Sequence, residues 1–157
     1  HAYPNGSYSE EIKQLFRQLG IAYGRVVPSV PGFKLPTDLL EWHPTCHHND
    51  PNLMKMAQSL VESKTWQYAK LMYVWGHSYE FDNLDNWYVI EEFADYMGGR
   101  EDVWYATNIE IYDYIKAYEA LQTSVDERII YNPTVTKVWF QHKDTVYAIA
   151  PGEMLVL

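Results

Sequence analysis

The sequence predicts an α/β chain in which helices and strands alternate around a small parallel sheet, followed by an antiparallel β appendage. Three observations predict it. Amphipathic helical stretches alternate with short apolar runs over residues 1–126, an order that implies parallel strands with right-handed crossovers. From residue 127 the pattern becomes strand, turn, strand with no helix between, which implies antiparallel pairing. Finally, the 157 residues suit one domain, yet only about three strands alternate with helices, too few to close a parallel barrel. The expectation is therefore a partial (β/α) barrel over 1–126, with the appendage 127–157 packed on it.

The elements follow in order. Ser7-Tyr8-Ser9-Glu10 reads as a capping box, and Ile12, Leu15, Phe16 and Leu19 recur at helical spacing on what should be a buried face. Gly20 suits the helix stop. Residues 21–27 read as a strand, and 28–36 as a Pro/Gly-rich loop. Residues 39–50 read as an extended stretch ending in a polar loop. Asp50-Pro51 places an N-cap before Pro and opens a second helix, with Leu53, Met56, Ala57, Leu60 and Val61 inward. The apolar run 69–75 reads as a strand covered on both faces, and 76–82 as the loop at its C-terminal end. Asp85 or Asn86 caps a third helix that ends at Gly98-Gly99. A short strand is expected over 103–106. Thr107-Asn108-Ile109-Glu110 is a second capping box, starting a helix that runs to about Gln122. Strands are expected over 128–131, 134–141, 145–150 and 154–157.

Composition excludes several functions. The chain holds 12 Lys and Arg against 21 Asp and Glu, a formal charge of −9, so it is a poor neutraliser of phosphate backbones and nucleic acid is not an expected partner. No apolar run reaches the roughly 20 residues of a membrane span. The first residues show neither the basic nor the apolar region of a signal peptide, so none is expected on this chain. The single cysteine, Cys46, excludes an intrachain disulfide framework and leaves the compartment open between cytoplasmic and exported.

Ligands of parallel α/β sheets sit at the C-terminal ends of the strands. His77 falls there, two residues after Trp75, with Tyr79, Glu80 and Asp82 close by; a hydrogen-bonded loop histidine is the simpler alternative. A second cluster, His43, Cys46, His47, His48 and Asp50, brings imidazole, thiol and carboxylate together and invites a metal reading. Its spacing matches no standard ligand motif, so a polar loop with a histidine or two facing a cleft stays open as well. Aromatic residues concentrate near both loops. Trp42, Tyr79 and Trp87 are the groove candidates, because sugar rings pack a C–H face on such rings, while core packing explains aromatics within strands equally well.

Several segments resemble a known family. Tyr3-Pro4-Asn5-Gly6-Ser7-Tyr8, then a helix, then Gly20-Ile21-Ala22-Tyr23-Gly24-Arg25, resemble the middle of polysaccharide deacetylases of the NodB-homology, carbohydrate esterase family 4 type. The segments 41–51, 73–81, 104–110 and 131–134 are similar to a subgroup of bacterial members. The resemblance implies a distorted (β/α) barrel and a divalent metal, often zinc, held by an Asp and two His. It also implies removal of acetyl groups from carbohydrate by a metal-activated water. His77 matches the late histidine that protonates the leaving group, and Trp42, Tyr79, Glu80 and Trp87 would contact substrate.

The family's Asp-Asp and H-x-x-x-H motifs have no match here, and Ala2 stands where an Arg commonly precedes the Pro-x-Gly loop. The expectation is thus the C-terminal half of a deacetylase-type fold, acting on acetylated carbohydrate, and either self-associating or completed by a missing N-terminal half. The alternatives are a non-catalytic carbohydrate-binding or assembly fragment, or a half-barrel with a repurposed metal site built from His43, His47 or His48 with His77.

Overall fold

The structure, a computed structural model, describes residues 1–63 and 69–157. Helices and strands are mixed, as an α/β chain requires, and no closed barrel forms among the described residues. The chain divides into two units, His1–Tyr105 and Ala106–Leu157. The boundary expected at 126/127 lies inside the second.

Backbone pairing in the first unit is parallel. Ala2 bridges Arg25, and Arg25 bridges Trp42. The chain continues through Pro44 into β1 (Cys46–His47), which pairs with β2 (Val74–Trp75) in the register Cys46 to Val74 and His47 to Trp75. These strands are shorter than the apolar runs that predict them. The run 21–27 contributes only the bridge at Arg25, and the run 69–75 narrows to Val74–Trp75. The polar groups of the second run are used locally: Leu71 N–H donates to the Phe33 carbonyl, and the Tyr73 carbonyl accepts from Thr45 N–H. Residues 103–106 form no strand.

Helix α1 spans Glu10–Gln18, and its cap is Ser9, whose hydroxyl accepts from Ile12 N–H at 3.3 Å. The box expected at Ser7 is thereby corrected. The apolar stripe is corrected too: Ile12, Leu15 and Leu19 are exposed, and Lys13 is the buried residue, 3% accessible. The turned face has a cause in Lys13, whose ammonium reaches Asp38 and Glu41, each at 2.9 Å, and also Glu10. Helix α2 is Leu53–Glu62 and starts later than Asp50-Pro51 suggests, although Asp50 still accepts from Asn52 N–H at 2.8 Å. Helix α3, Tyr79–Leu84, stands where a loop was expected and closes at Asp85 with φ +48°. Helix α4, Trp87–Met97, follows Asn86, whose side chain donates to Asn49 Oδ1 at 3.0 Å instead of capping the helix. Tyr3, Val26, Leu40, Trp42, Cys46, Leu53 and Ala57 are buried in this unit.

The second unit follows its sequence pattern closely. Helix α5, Asn108–Glu119, carries the capping box as read, with Thr107 and Glu110 exchanging hydrogen bonds. A short β3 (Gln122–Thr123) precedes β4 (Ile129–Tyr131), which is flanked by β3 and by β7 (Met154–Val156), antiparallel to both. β5 (Val138–His142) and β6 (Thr145–Ile149) form a hairpin that turns at the left-handed Lys143. Ala117, Ile130, Val138, Phe140 and Ile149 form the core.

Asn132, wholly buried, ties this unit together. Its amide donates to the Thr136 and Ile149 carbonyls, and its oxygen accepts from Thr134 N–H and Oγ–H. Asn132→Ala leaves these buried groups unpaired and is expected to cost about 2–3 kcal/mol. Urea unfolding checks this, and an unchanged midpoint would remove Asn132 as the tie.

Candidate metal centre

The parallel register of β1 and β2 places the residues that follow both strands at one end of the pair. His47 and His48 leave β1 there, and His77 and Glu80 leave β2. Glu80 lies in the first turn of α3, the helix absent from the sequence reading, and this turn carries its carboxylate between the imidazoles. Glu80 Oε1 is 3.1 Å from His77 Nδ1, while Oε2 is 3.1 Å from Nε2 of both His47 and His48.

His48 is the buried member, 3% accessible. Its ring lies between the His47 and Phe81 rings, with both centroids at 4.2 Å. The edge of Trp75 packs on His47 at 4.8 Å, and the face of Trp75 carries the Arg25 guanidinium at 4.3 Å. Gly76 allows the close approach of the two loops, because a Cβ there would stand 1.6 Å from His48 Nδ1.

The electrostatics are those of one carboxylate among imidazoles. Burial works to raise the Glu80 carboxyl, but the His77 hydrogen bond and the charges of His47, His48 and His77 outweigh it and hold the group below its ordinary value. Burial lowers His48, and His47 and His77 add to this against the pull of Glu80. His48 is therefore neutral near pH 7. Cys46 is fully buried, and burial pushes its thiol up to about 11, with Asp50 adding to the rise. A buried, protonated thiol is not poised as a nucleophile near neutral pH.

His47, His77 and Glu80 could hold a metal ion, since one donor atom from each lies within 4.8 Å of the others. Two observations fit an ion. The donor set, two imidazoles and a carboxylate, is one that divalent transition metals accept. Besides this, Glu80 Oε2 and His48 Nε2 are buried without an aligned hydrogen bond, although they approach each other closely.

The expected site residues are sorted by these contacts. His77 and Glu80 meet, though Glu80 sits among the histidines rather than in an aromatic groove. Of the three histidines expected to ligate, His47 belongs to the group and His48 borders it through Glu80. His43 is corrected: Nδ1 donates to the Pro28 carbonyl at 2.8 Å, and Nε2 faces Glu41 at 3.6 Å. Trp42 is corrected as well. It is 1% accessible and packed edge-on against Tyr23 and Tyr73, so no ring face is open to a ligand. Tyr79 is exposed and lies 5.2 Å from the His77 ring. Trp87 is exposed on α4, with its indole N–H donating to Asp82 at 2.8 Å.

No family model, curated protein or solved structure matches the chain. No helix among the described residues is long and apolar enough to cross a membrane.

Proposed function

We propose that the chain is a metal-dependent hydrolase of the carbohydrate deacetylase kind, centred on a divalent ion, zinc first, held by His47, His77 and Glu80. The observation that carries this reading is the convergence of two imidazoles on one carboxylate at the C-terminal end of a parallel strand pair. Three protein donors leave a position for water, the arrangement of catalytic rather than structural zinc. When bound, such an ion polarises an acyl oxygen and lowers the pKa of its water. His77 then acts as a ligand, in place of the leaving-group acid that the resemblance implies. The exposed rings of Tyr79 and Trp87 offer surface for a sugar ring, and the parallel pairings with intervening helices are compatible with part of a (β/α) barrel.

Loading has a local cost. His47 Nδ1 accepts from Asn49 N–H at 3.2 Å, so its proton sits on Nε2, toward Glu80. Ligation through Nε2 needs the other tautomer and gives up the Asn49 contact. Ion uptake should weaken as pH falls, because protons compete with the ion for the imidazole and carboxylate donors.

Titration of metal-free protein with zinc tests the reading. Uptake of one ion per chain is expected, weakened at least about 100-fold in His77→Ala, with acetate released from an acetylated oligosaccharide only by the loaded wild type. Absence of uptake by the wild type would overturn the reading and leave Glu80 as a carboxylate clamp between two loops.

A further inference from the structure

We infer that His48 is a positioning residue for this centre. Its buried Nε2–H holds the Glu80 carboxylate between His47 and His77 once an ion is bound. The inference rests on the metal reading above but concerns a residue outside the three-donor group.

Four observations converge on it. The His48 side chain is 4% accessible, so water does not compete for its ring. Its place is over-determined, with Phe81 on one side, His47 on the other and Gly76 against Nδ1. Its backbone is also fixed, because His48 N–H donates to the Trp75 carbonyl at 2.8 Å, an extension of the β1–β2 ladder. A ring locked in this way keeps Nε2 3.1 Å from Glu80 Oε2, near enough for a bond that the present orientation leaves unmade.

Both of those atoms are buried and neither has an aligned hydrogen bond. A buried donor and a buried acceptor left unpaired side by side are costly, and a small rotation of the carboxylate would satisfy both. An ion held by His47, His77 and Glu80 would engage the side of the carboxylate that now faces those two rings, and would leave a lone pair for His48 to donate to. Ligating carboxylates are commonly steadied by such an outer hydrogen bond, and its loss typically costs 10–100-fold in metal affinity.

The test uses cobalt(II) as the probe ion with wild type, His48→Phe and His48→Gln. Phenylalanine keeps the ring packing and removes the donor, whereas glutamine keeps a donor at similar reach. The expected result is that His48→Phe melts within a few degrees of wild type but binds cobalt(II) about 10–100-fold more weakly, with an altered visible absorption band. His48→Gln should recover most of the affinity and the wild-type band. In wild type, an Nε2–H proton resonance of His48 protected from exchange should appear on loading with zinc(II). Wild-type affinity and band in His48→Phe, with cobalt bound by wild type, overturn the role of His48 and leave the metal centre standing. No cobalt or zinc uptake by wild type overturns both. If His48→Phe fails to fold, the absence of the protected proton in zinc-loaded wild type overturns the role by itself.

Discussion

Gly76→Ala is expected to abolish ion uptake at the proposed metal centre and to lower stability by about 3 kcal/mol or more. The new methyl would stand 1.6 Å from His48 Nδ1 and 2.3 Å from Cε1. The ring has nowhere to retreat, because His47 and Phe81 hold it on both sides. The backbone is tied as well, by the His48 N–H donated to the Trp75 carbonyl next to Gly76. Overpacking of a well-filled site costs about 1–3 kcal/mol when neighbours can shift, and more when they cannot. Relief requires the segment from Gly76 to α3 to move away, and that segment carries His77 and Glu80. Cobalt titration and thermal melting read both effects together. A Gly76→Ala protein that melts and binds cobalt as wild type does would show that the two loops are not in this contact.

Lys13→Met, away from the site, should cost about 2–3 kcal/mol. Lys13 is a buried ammonium facing Glu10, Asp38 and Glu41, and Glu41 also accepts from the Tyr8 hydroxyl at 2.8 Å. Removal of one partner from a buried ion cluster leaves the other charges uncompensated, typically at 3–5 kcal/mol. The lower figure applies because about a third of each of the Asp38 and Glu41 side chains meets solvent, which screens their charges.

The pH dependence has a definite sign. The Lys13 hydrogen bond, followed by that of Tyr8, holds the Glu41 carboxyl below its ordinary value. At Asp38, burial works upward but is outweighed by Lys13 and by the Leu40 N–H. Groups lowered in this way stabilise the fold above their unfolded pKa, near 4, and that contribution is lost as pH falls through the lower folded value. The three neighbouring acids raise Lys13 above its ordinary value, so its own contribution fades only at strongly alkaline pH. The stability gap between wild type and Lys13→Met should therefore be widest near neutrality and shrink below about pH 4. Urea unfolding at pH 7 and pH 3 measures it, and a gap that grows toward acid would refute the ion-cluster account. Replacing Asp38 and Glu41 by their amides in the Lys13→Met background should recover part of the loss, since no charge is then left without a partner.

Features governed by neighbours in the chain were legible directly. The Thr107–Glu110 box, the hairpin turn between His142 and Thr145, and the strand pattern of the second unit all depend on residues a few positions apart. Errors arose where distant groups decide. The stripe on α1 reads as a buried face, but the carboxylates that draw Lys13 inward lie at Asp38 and Glu41, far along the chain. Trp42 reads equally well as a groove or a core residue, and the packing of Tyr23 and Tyr73 around it decides for the core. A signal for α3 did exist, in the acidic residues Glu80 and Asp82 of its first turn, but the Gly76-His77-Ser78 start reads as loop.

By itself, the sequence determined that helix and strand are mixed, that the tail pairs antiparallel, and that histidine is concentrated on two loops. Those properties reside in periodicity, turn residues and composition, which need no tertiary contact to be read. Only the tertiary structure decided which histidines meet. His43 and His47 lie four residues apart, yet His43 turns to Pro28 and Glu41, while His47 joins Glu80 across more than thirty residues of chain. The physical reason is the parallel register of β1 and β2: setting His47 opposite Trp75 brings the ends of both strands, and with them two imidazoles, to a single carboxylate.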